Sequence, residues 1–281
     1  TDENVAERDT WWASPGTLLM QLHQAMRDMI GLSRLLGDPG PWDPYPQLAV
    51  EVRQRILEAY CGSAAEWFSD IPLDRGSGRS ASWHVNAFAV LGGLVDSPAA
   101  ASALLERVAA DPDAPYPIAG FMKYWVLKAM MESGLTVRAL DDIREYWGFM
   151  LDHGATTCWE KLDLRRPERV LGNPVVSRCH GWTCGPCILL PEYILGVRPA
   201  SPGYGTVRVR PSLGDLAWAE GTLPTPHGPL FAHWENQDGL RGFIRLPDAV
   251  HGEAILQDAG GREQRIPLVP GENRIGALRR Q

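Results

Sequence analysis

No stretch of this chain approaches about 18 uninterrupted apolar residues, so the sequence offers no helix able to cross a membrane. Basic clusters are missing too. Lys and Arg total 27 against 34 Asp and Glu, a formal charge of −7, and the one short basic run is Arg279-Arg280. Phosphate binding needs clustered cations, which argues against a nucleic-acid partner. Cysteine is sparse: five, an odd number without a regular framework, fit reduced thiols better than a disulfide scaffold, and a cytoplasmic location is the expectation. The chain opens Thr1-Asp2-Glu3-Asn4, with no Met and no basic-then-apolar leader. A fragment of a longer protein, or a chain with something upstream removed, is expected.

What is there reads as an ordinary globular protein, with 44% apolar and 22% charged residues. Its 281 residues allow one large domain or two ordinary ones. Tryptophan is the exception. Eleven are present, mostly in the first two-thirds, and indole rings serve both as core material and as stacking faces for sugars.

Helical periodicity runs through the first 198 residues. Leu18, Leu22, Met26 and Met29 mark a first helix after Ser14-Pro15, stopped at Gly37 before a proline cluster. Val52, Ile56 and Tyr60 mark a second; a glycine-rich loop from Arg75 to Arg79 leads to a third through Val85, Phe88 and Leu91. Ser97-Pro98 reads as N-cap and first-turn proline of a fourth. Phe121, Met122, Trp125 and Val126 lie on a fifth, Leu140, Ile143 and Met150 on a sixth capped by Thr136, and a last apolar helix covers Cys184 to Leu195. Short connections predict stacked antiparallel hairpins. Beyond residue 198, proline and glycine become dense and apolar residues alternate, as in Val207, Val209 and Leu230, Ala232, Trp234. Turns at Gln237-Asp238-Gly239 and Gly260-Gly261 separate the runs. Residues 199–281 are therefore expected to form an antiparallel sandwich of about seven strands. The fold class is α+β, multidomain.

Two segments carry candidate chemistry. Gly154-Ala-Thr-Thr-Cys-Trp-Glu160 opens on a helix-ending glycine and places hydroxyls, an indole and a carboxylate together, a set suited to holding a polyol and acting on water. Ser177-Arg-Cys-His-Gly-Trp182 sits at a loop-to-helix junction with an imidazole and a guanidinium able to bind hydroxyls. The plainer alternative is a pair of solvated loops with capping Thr and Ser.

Taken in order, these two segments resemble the bacterial α-L-rhamnosidases, family 78 of the glycoside hydrolases. So do Leu190-Pro-Glu-Tyr-Ile-Leu-Gly-Val-Arg-Pro199, Trp83-His-Val-Asn-Ala-Phe-Ala-Val-Leu91 and Gly221-Thr-Leu-Pro-Thr-Pro-His-Gly228. The resemblance covers roughly residues 80 to 281. It implies a partial (α/α)6 helical-hairpin barrel in residues 1–198 followed by a C-terminal β-sandwich in 199–281. It further implies inverting hydrolysis of terminal α-L-rhamnosides, in which one carboxylic acid protonates the leaving oxygen and one carboxylate activates water. By this resemblance Glu160 is the general base, His180 contacts the sugar, and Trp159, Trp182 and Arg178 line the site. The substrate is a rhamnose-containing glycoside or polysaccharide; no cofactor or metal is implied.

One departure matters. The family's general acid comes from an earlier acidic, arginine-rich stretch, and no such stretch occurs here. About seven helices stand where a full barrel needs twelve. The chain alone is thus expected to be weakly active or inactive, the alternative being a non-catalytic remnant or carbohydrate-binding fragment. An open half-barrel exposes apolar faces, so association as a homo-oligomer or with N-terminal domains outside this chain is expected. Cys184-Gly-Pro-Cys187 copies a dithiol motif, and with Cys179 and His180 a zinc set, but lacks the strand context of the first and the paired spacing of the second. Asp141, Asp142, Glu145, Asp163 and Glu192 read as solvated positions.

Overall fold

A computed structural model describes residues 14–37, 40, 44–62, 66–75, 81–237, 239–257 and 262–276. The glycine-rich loop beyond Arg75, Asp238 of one expected turn, the Gly260-Gly261 turn, most of the proline cluster after Gly37, and both chain ends lie outside these residues. The chain forms two compact units, divided in sequence between Cys184 and Gly185.

The first unit is helical: α1 (Pro15–Leu36), α2 (Tyr45–Tyr60), α3 (Trp83–Leu91), α4 (Pro98–Ala110), α5 (Gly120–Glu132), α6 (Thr136–Asp152) and the single turn α7 (Glu168–Leu171). The starts of α1, α3 and α4 follow one rule. The hydroxyls of Ser14, Ser82 and Ser97 accept from the N–H groups of Thr17, Val85 and Ala100, satisfying donors that the helix leaves open. Asp70 ties two of these caps together. Its carboxylate accepts from the Ser14 hydroxyl at 2.9 Å, the Ser82 hydroxyl at 2.6 Å and the Ser82 N–H at 2.8 Å. Thr136, expected as a cap, is instead the first residue of α6; the cap position falls to Leu135, with no side-chain bond.

Successive helices pair as α1/α2, α3/α4 and α5/α6, and the first members also pack on one another, α1 on α3 and α3 on α5. These are three stacked hairpins in two layers. Met20, Ile56, Phe68, Val85, Phe88 and Leu104 fill the space between them. Each such side chain contributes roughly 1.5–3 kcal/mol by leaving water.

The second unit begins with a short helical stretch rather than one continuous helix. It comprises α8 (Pro186–Leu189) and a wider turn over Leu190–Ile194, in which the Leu195 N–H reaches back five residues to the Leu190 carbonyl. Among the described residues eight strands follow: β1 (Val197–Pro199), β2 (Thr206–Val209), β3 (Trp218–Thr225), β4 (Gly228–Asn236), β5 (Leu240–Leu246), β6 (His251–Gln257), β7 (Glu263–Leu268) and β8 (Gly271–Ile275). They form two four-stranded sheets, ordered β1-β2-β6-β7 and β3-β4-β5-β8. All pairs are antiparallel except β2 with β6, which is parallel. The alternation places Leu230, Ala232 and Trp234 inward on β4 and their neighbours outward, and Trp234 is fully buried with its indole N–H donating to the Leu195 carbonyl. Phe243 does not join the inward residues. It stands beside Phe231 and His233 on the opposite face.

Candidate functional site at the rim of the helical unit

α6 ends on His153 and Gly154, whose φ of 78° is the left-handed conformation that glycine adopts without strain. The chain then runs out along residues 155–162 and is held on both sides. On one side it meets the segment around Ser177. The Glu160 N–H donates to the Ser177 carbonyl at 2.9 Å, the His180 N–H donates to the Cys158 carbonyl at 2.9 Å, and the Thr157 hydroxyl donates to the Arg178 carbonyl. On the other side the Leu162 N–H donates to the Ile118 carbonyl at 2.8 Å, just ahead of α5. Three loops far apart in sequence therefore form one wall.

The Glu160 side chain is half-buried, and its Oε2 accepts from the Ser177 N–H at 3.1 Å. The carboxylate and the backbone of the same residue thus grip the same partner, which fixes its orientation. His180 is half-buried, with its ring centroid 4.4 Å from that of Trp182. Trp182 remains 49% exposed, enough indole face for a ligand, and packs 5.6 Å from Phe121 at the start of α5.

Trp159 and Arg178 lie elsewhere. Trp159 is 5% exposed and packs with Tyr146, Met150, Leu162, Val170 and Val176 beneath the loop. The Arg178 guanidinium sits 4.0 Å from the Trp159 ring centroid and donates to the carbonyls of Val170 and Leu171. Both brace the wall from behind. Sequence reasoning missed three further residues. Thr183 is fully buried, and its hydroxyl donates to the Glu160 carbonyl at 3.4 Å. The Trp147 indole N–H donates to the Thr183 carbonyl at 2.9 Å. Gly120 makes room for Thr183, because a Cβ there would lie 2.0 Å from the Thr183 methyl. A glycine opening a helix, where propensity gives it no advantage, was the available signal.

Two hollows adjoin this wall's elements, and Glu160 lines neither. The larger, about 400 Å³, is bounded by Trp83, Tyr116, Arg138, Asp142, Glu145 and Arg165 among others. Beside it the fully buried Lys123 ammonium donates to Asp142 and lies 3.7 Å from the Tyr116 ring centroid, while the Tyr116 hydroxyl donates to the same carboxylate oxygen at 2.8 Å. Burial pulls the Lys123 ammonium below its ordinary pKa, and the facing Asp142 opposes the shift. Asp142 is therefore the counter-ion of a core lysine rather than a solvated helix residue. Asp163 is also buried, its Oδ1 accepting from the Arg165 N–H. Asp141 and Glu192 pair with Arg144 and Arg198. Among the described residues no group of three or more His, Cys, Asp or Glu side chains is arranged to hold a metal ion, and the five cysteines form no disulfide.

Comparison with known proteins also divides the chain in two, between residues 194 and 196. Residues 19–194 match the bacterial alpha-L-rhamnosidase six-hairpin glycosidase domain, and residues 196–267 match the bacterial alpha-L-rhamnosidase C-terminal domain. An alpha-L-rhamnosidase of Streptomyces avermitilis is 30% identical over 100 residues, 35% of this chain and 10% of that protein. The crystal structure of a family GH78 rhamnosidase of Bacillus sp. GL1 superposes with a TM-score of 0.73 at 27% identity, covering 84% of this chain and 25% of that one. The Streptomyces avermitilis alpha-L-rhamnosidase complexed with L-rhamnose superposes with a TM-score of 0.72 at 19% identity, covering 90% of this chain and 26% of that one, and shares the fold. The chain spans about a tenth of the length of the first relative and about a quarter of each solved structure.

Proposed function

We propose a function from one premise: the chain belongs to the bacterial α-L-rhamnosidase family. The proposal is that the rim of its helical unit forms the base side of an inverting site for terminal α-L-rhamnosides, with Glu160 as general base. One observation carries it. Two segments separated by a long loop, Gly154–Glu160 and Ser177–Trp182, are hydrogen-bonded to each other, so that Glu160, His180 and the exposed Trp182 share one wall. The L-rhamnose held by the Streptomyces avermitilis relative supports the choice of sugar.

In this mechanism the Ser177 N–H fixes Oε2, and Oε1 of Glu160 takes a proton from water as the water oxygen attacks the anomeric carbon. The glycosidic bond breaks with inversion, and the leaving oxygen departs with its electron pair. His180 and Trp182 hold the sugar, while Trp159 and Arg178 keep the loop in place from below. An alkyl leaving group also needs a proton from a general acid, which in the family belongs to an acidic, arginine-rich segment. These 281 residues contain none. A dinitrophenoxide leaves without that proton.

The distinction supplies the test. The purified chain should release 2,4-dinitrophenol from its α-L-rhamnoside, and Glu160→Gln should slow that release by about 10²-fold or more. An alkyl rhamnoside should remain intact. Equal rates for the wild type and Glu160→Gln would remove Glu160 from the chemistry. Rhamnose binding without release of dinitrophenol would instead identify a carbohydrate-binding remnant.

A further inference from the structure

The smaller hollow, about 230 Å³, lies between α1, α3 and α5 and has no role in the steps above. Its floor is aromatic, formed by Phe88, Phe121 and Trp125. Its wall is polar, formed by Gln21, Gln24 and Asp28. Spacings of three, four and seven residues bring these three onto one face of α1, turned to the same space.

The hollow is joined to the rim by an unbroken run of rings. The His180 and Trp182 centroids are 4.4 Å apart, Trp182 and Phe121 5.6 Å, Phe121 and Trp125 6.4 Å, and Trp125 and Phe88 5.3 Å. Phe121 belongs to both places, touching Trp182 on one side and lining the hollow on the other. A molecule held at Trp182 therefore has an aromatic track leading from it.

The chemistry of the lining selects the occupant. Aromatic faces receive the C–H face of a pyranose, and two primary amides with a carboxylate supply donors and acceptors for its hydroxyls. A flat aryl group would use the aromatic floor but leave the half-buried amides of Gln21 and Gln24 bonded only to water, whereas a sugar uses both. The volume is below the roughly 300 Å³ at which drug-sized pockets begin, the scale of one ring. We propose that this hollow holds the sugar unit on the leaving-group side of the substrate, so that the chain prefers a rhamnosyl-disaccharide or longer glycan over a rhamnoside of a small alcohol or aryl group. The proposal rests on the reading of the Glu160 rim as the rhamnose site.

Calorimetric titration of the whole chain with four probes tests it: L-rhamnose, a rhamnosyl-glucose disaccharide, methyl β-D-glucopyranoside and phenyl α-L-rhamnoside. The disaccharide should bind about tenfold tighter than L-rhamnose, and Trp125→Ala and Gln24→Ala should each reduce that ratio to about one. Trp125 packs partly in the core, so Gln24→Ala, a helix-favouring change, keeps the test valid where the tryptophan variant fails to fold. Equal affinities for rhamnose and the disaccharide, a ratio unmoved by Gln24→Ala, or a preference for the phenyl rhamnoside would overturn the proposal while leaving the rim reading intact. Binding of the glucoside but not of rhamnose, abolished by Gln24→Ala, would overturn the rim reading and keep the hollow as a sugar site. No binding by any probe would remove both.

Discussion

The two units bury different things. Every buried Ser, Thr, Asn, Asp, His and Lys among the described residues lies between Ser14 and Thr183, whereas the strands bury only apolar side chains. In the sheets, charge is kept outside as paired residues: Arg241 with Glu235, Arg208 and Arg265 with Glu253, Arg245 and Arg274 with Glu272. In the helices, charge goes inside, as Lys123 against Asp142 and Asp70 across two helix caps. A core built on alternation alone tolerates little but apolar shape. A core that carries polar pairs also fixes particular segments: Asp70 holds the starts of α1 and α3, and Asp142 holds Tyr116 ahead of α5.

The largest effects should come from removing one member of a buried arrangement in either unit. Asp142→Ala leaves the Lys123 ammonium buried without its counter-ion and should cost about 3–5 kcal/mol, whereas Asp141→Ala, an exposed partner of Arg144, should cost less than about 1 kcal/mol. In the sheets, Trp234→Ala should cost about 3–5 kcal/mol, and Trp218→Ala, at a residue 58% exposed, far less. Urea denaturation measures all four. Equal losses within either pair would break the account of that core.

Acid should separate the units by a smaller margin. His84 is buried with no partner at Nε2, and burial holds its imidazole down to about 4, with Asp70 opposing. The unfolded imidazole protonates near 6.5, so protons favour the unfolded chain below that value. Stability present above pH 6.5 is lost as pH falls toward 4, on the order of 3 kcal/mol. In the sheets the sign is the same but the window lies lower. Arg241, Arg208 and Arg245 hold Glu235, Glu253 and Glu272 below the ordinary carboxylate value of 4.5, so their contribution is lost only as pH falls below it. In an NMR pH titration, amide signals of α3 should fade before those of β4. The reverse order, or simultaneous loss, would contradict this placement of buried charge.

The same contrast explains what the sequence made legible. Period-two alternation is a direct imprint of a sheet with one buried face, so the inward places of Leu230, Ala232 and Trp234 follow from their spacing alone. Serine followed by proline exposed the starts of α1 and α4. Glu160 and His180 were visible as members of motifs; in the structure the Glu160 backbone bonds to Ser177 and the His180 backbone to Cys158. Lys123 as core, Asp142 as its counter-ion and Asp70 as a double cap were not visible, because each depends on a partner more than ten residues away and no local pattern marks it. Trp159 and Arg178 show the reverse. Their residue types suit a sugar pocket, yet a tryptophan beside a carboxylate can point either way from an extended segment, and here it points into the packing with the guanidinium over it.

The most direct test of the central claim is where L-rhamnose touches the molecule. Added to the 15N-labelled chain, it should shift the amide signals of Ser177, His180 and Gly181 and the indole signal of Trp182, while leaving β3 to β5 unmoved. Shifts confined to the strands, or none at saturating sugar, would contradict the assignment of the rim as the site.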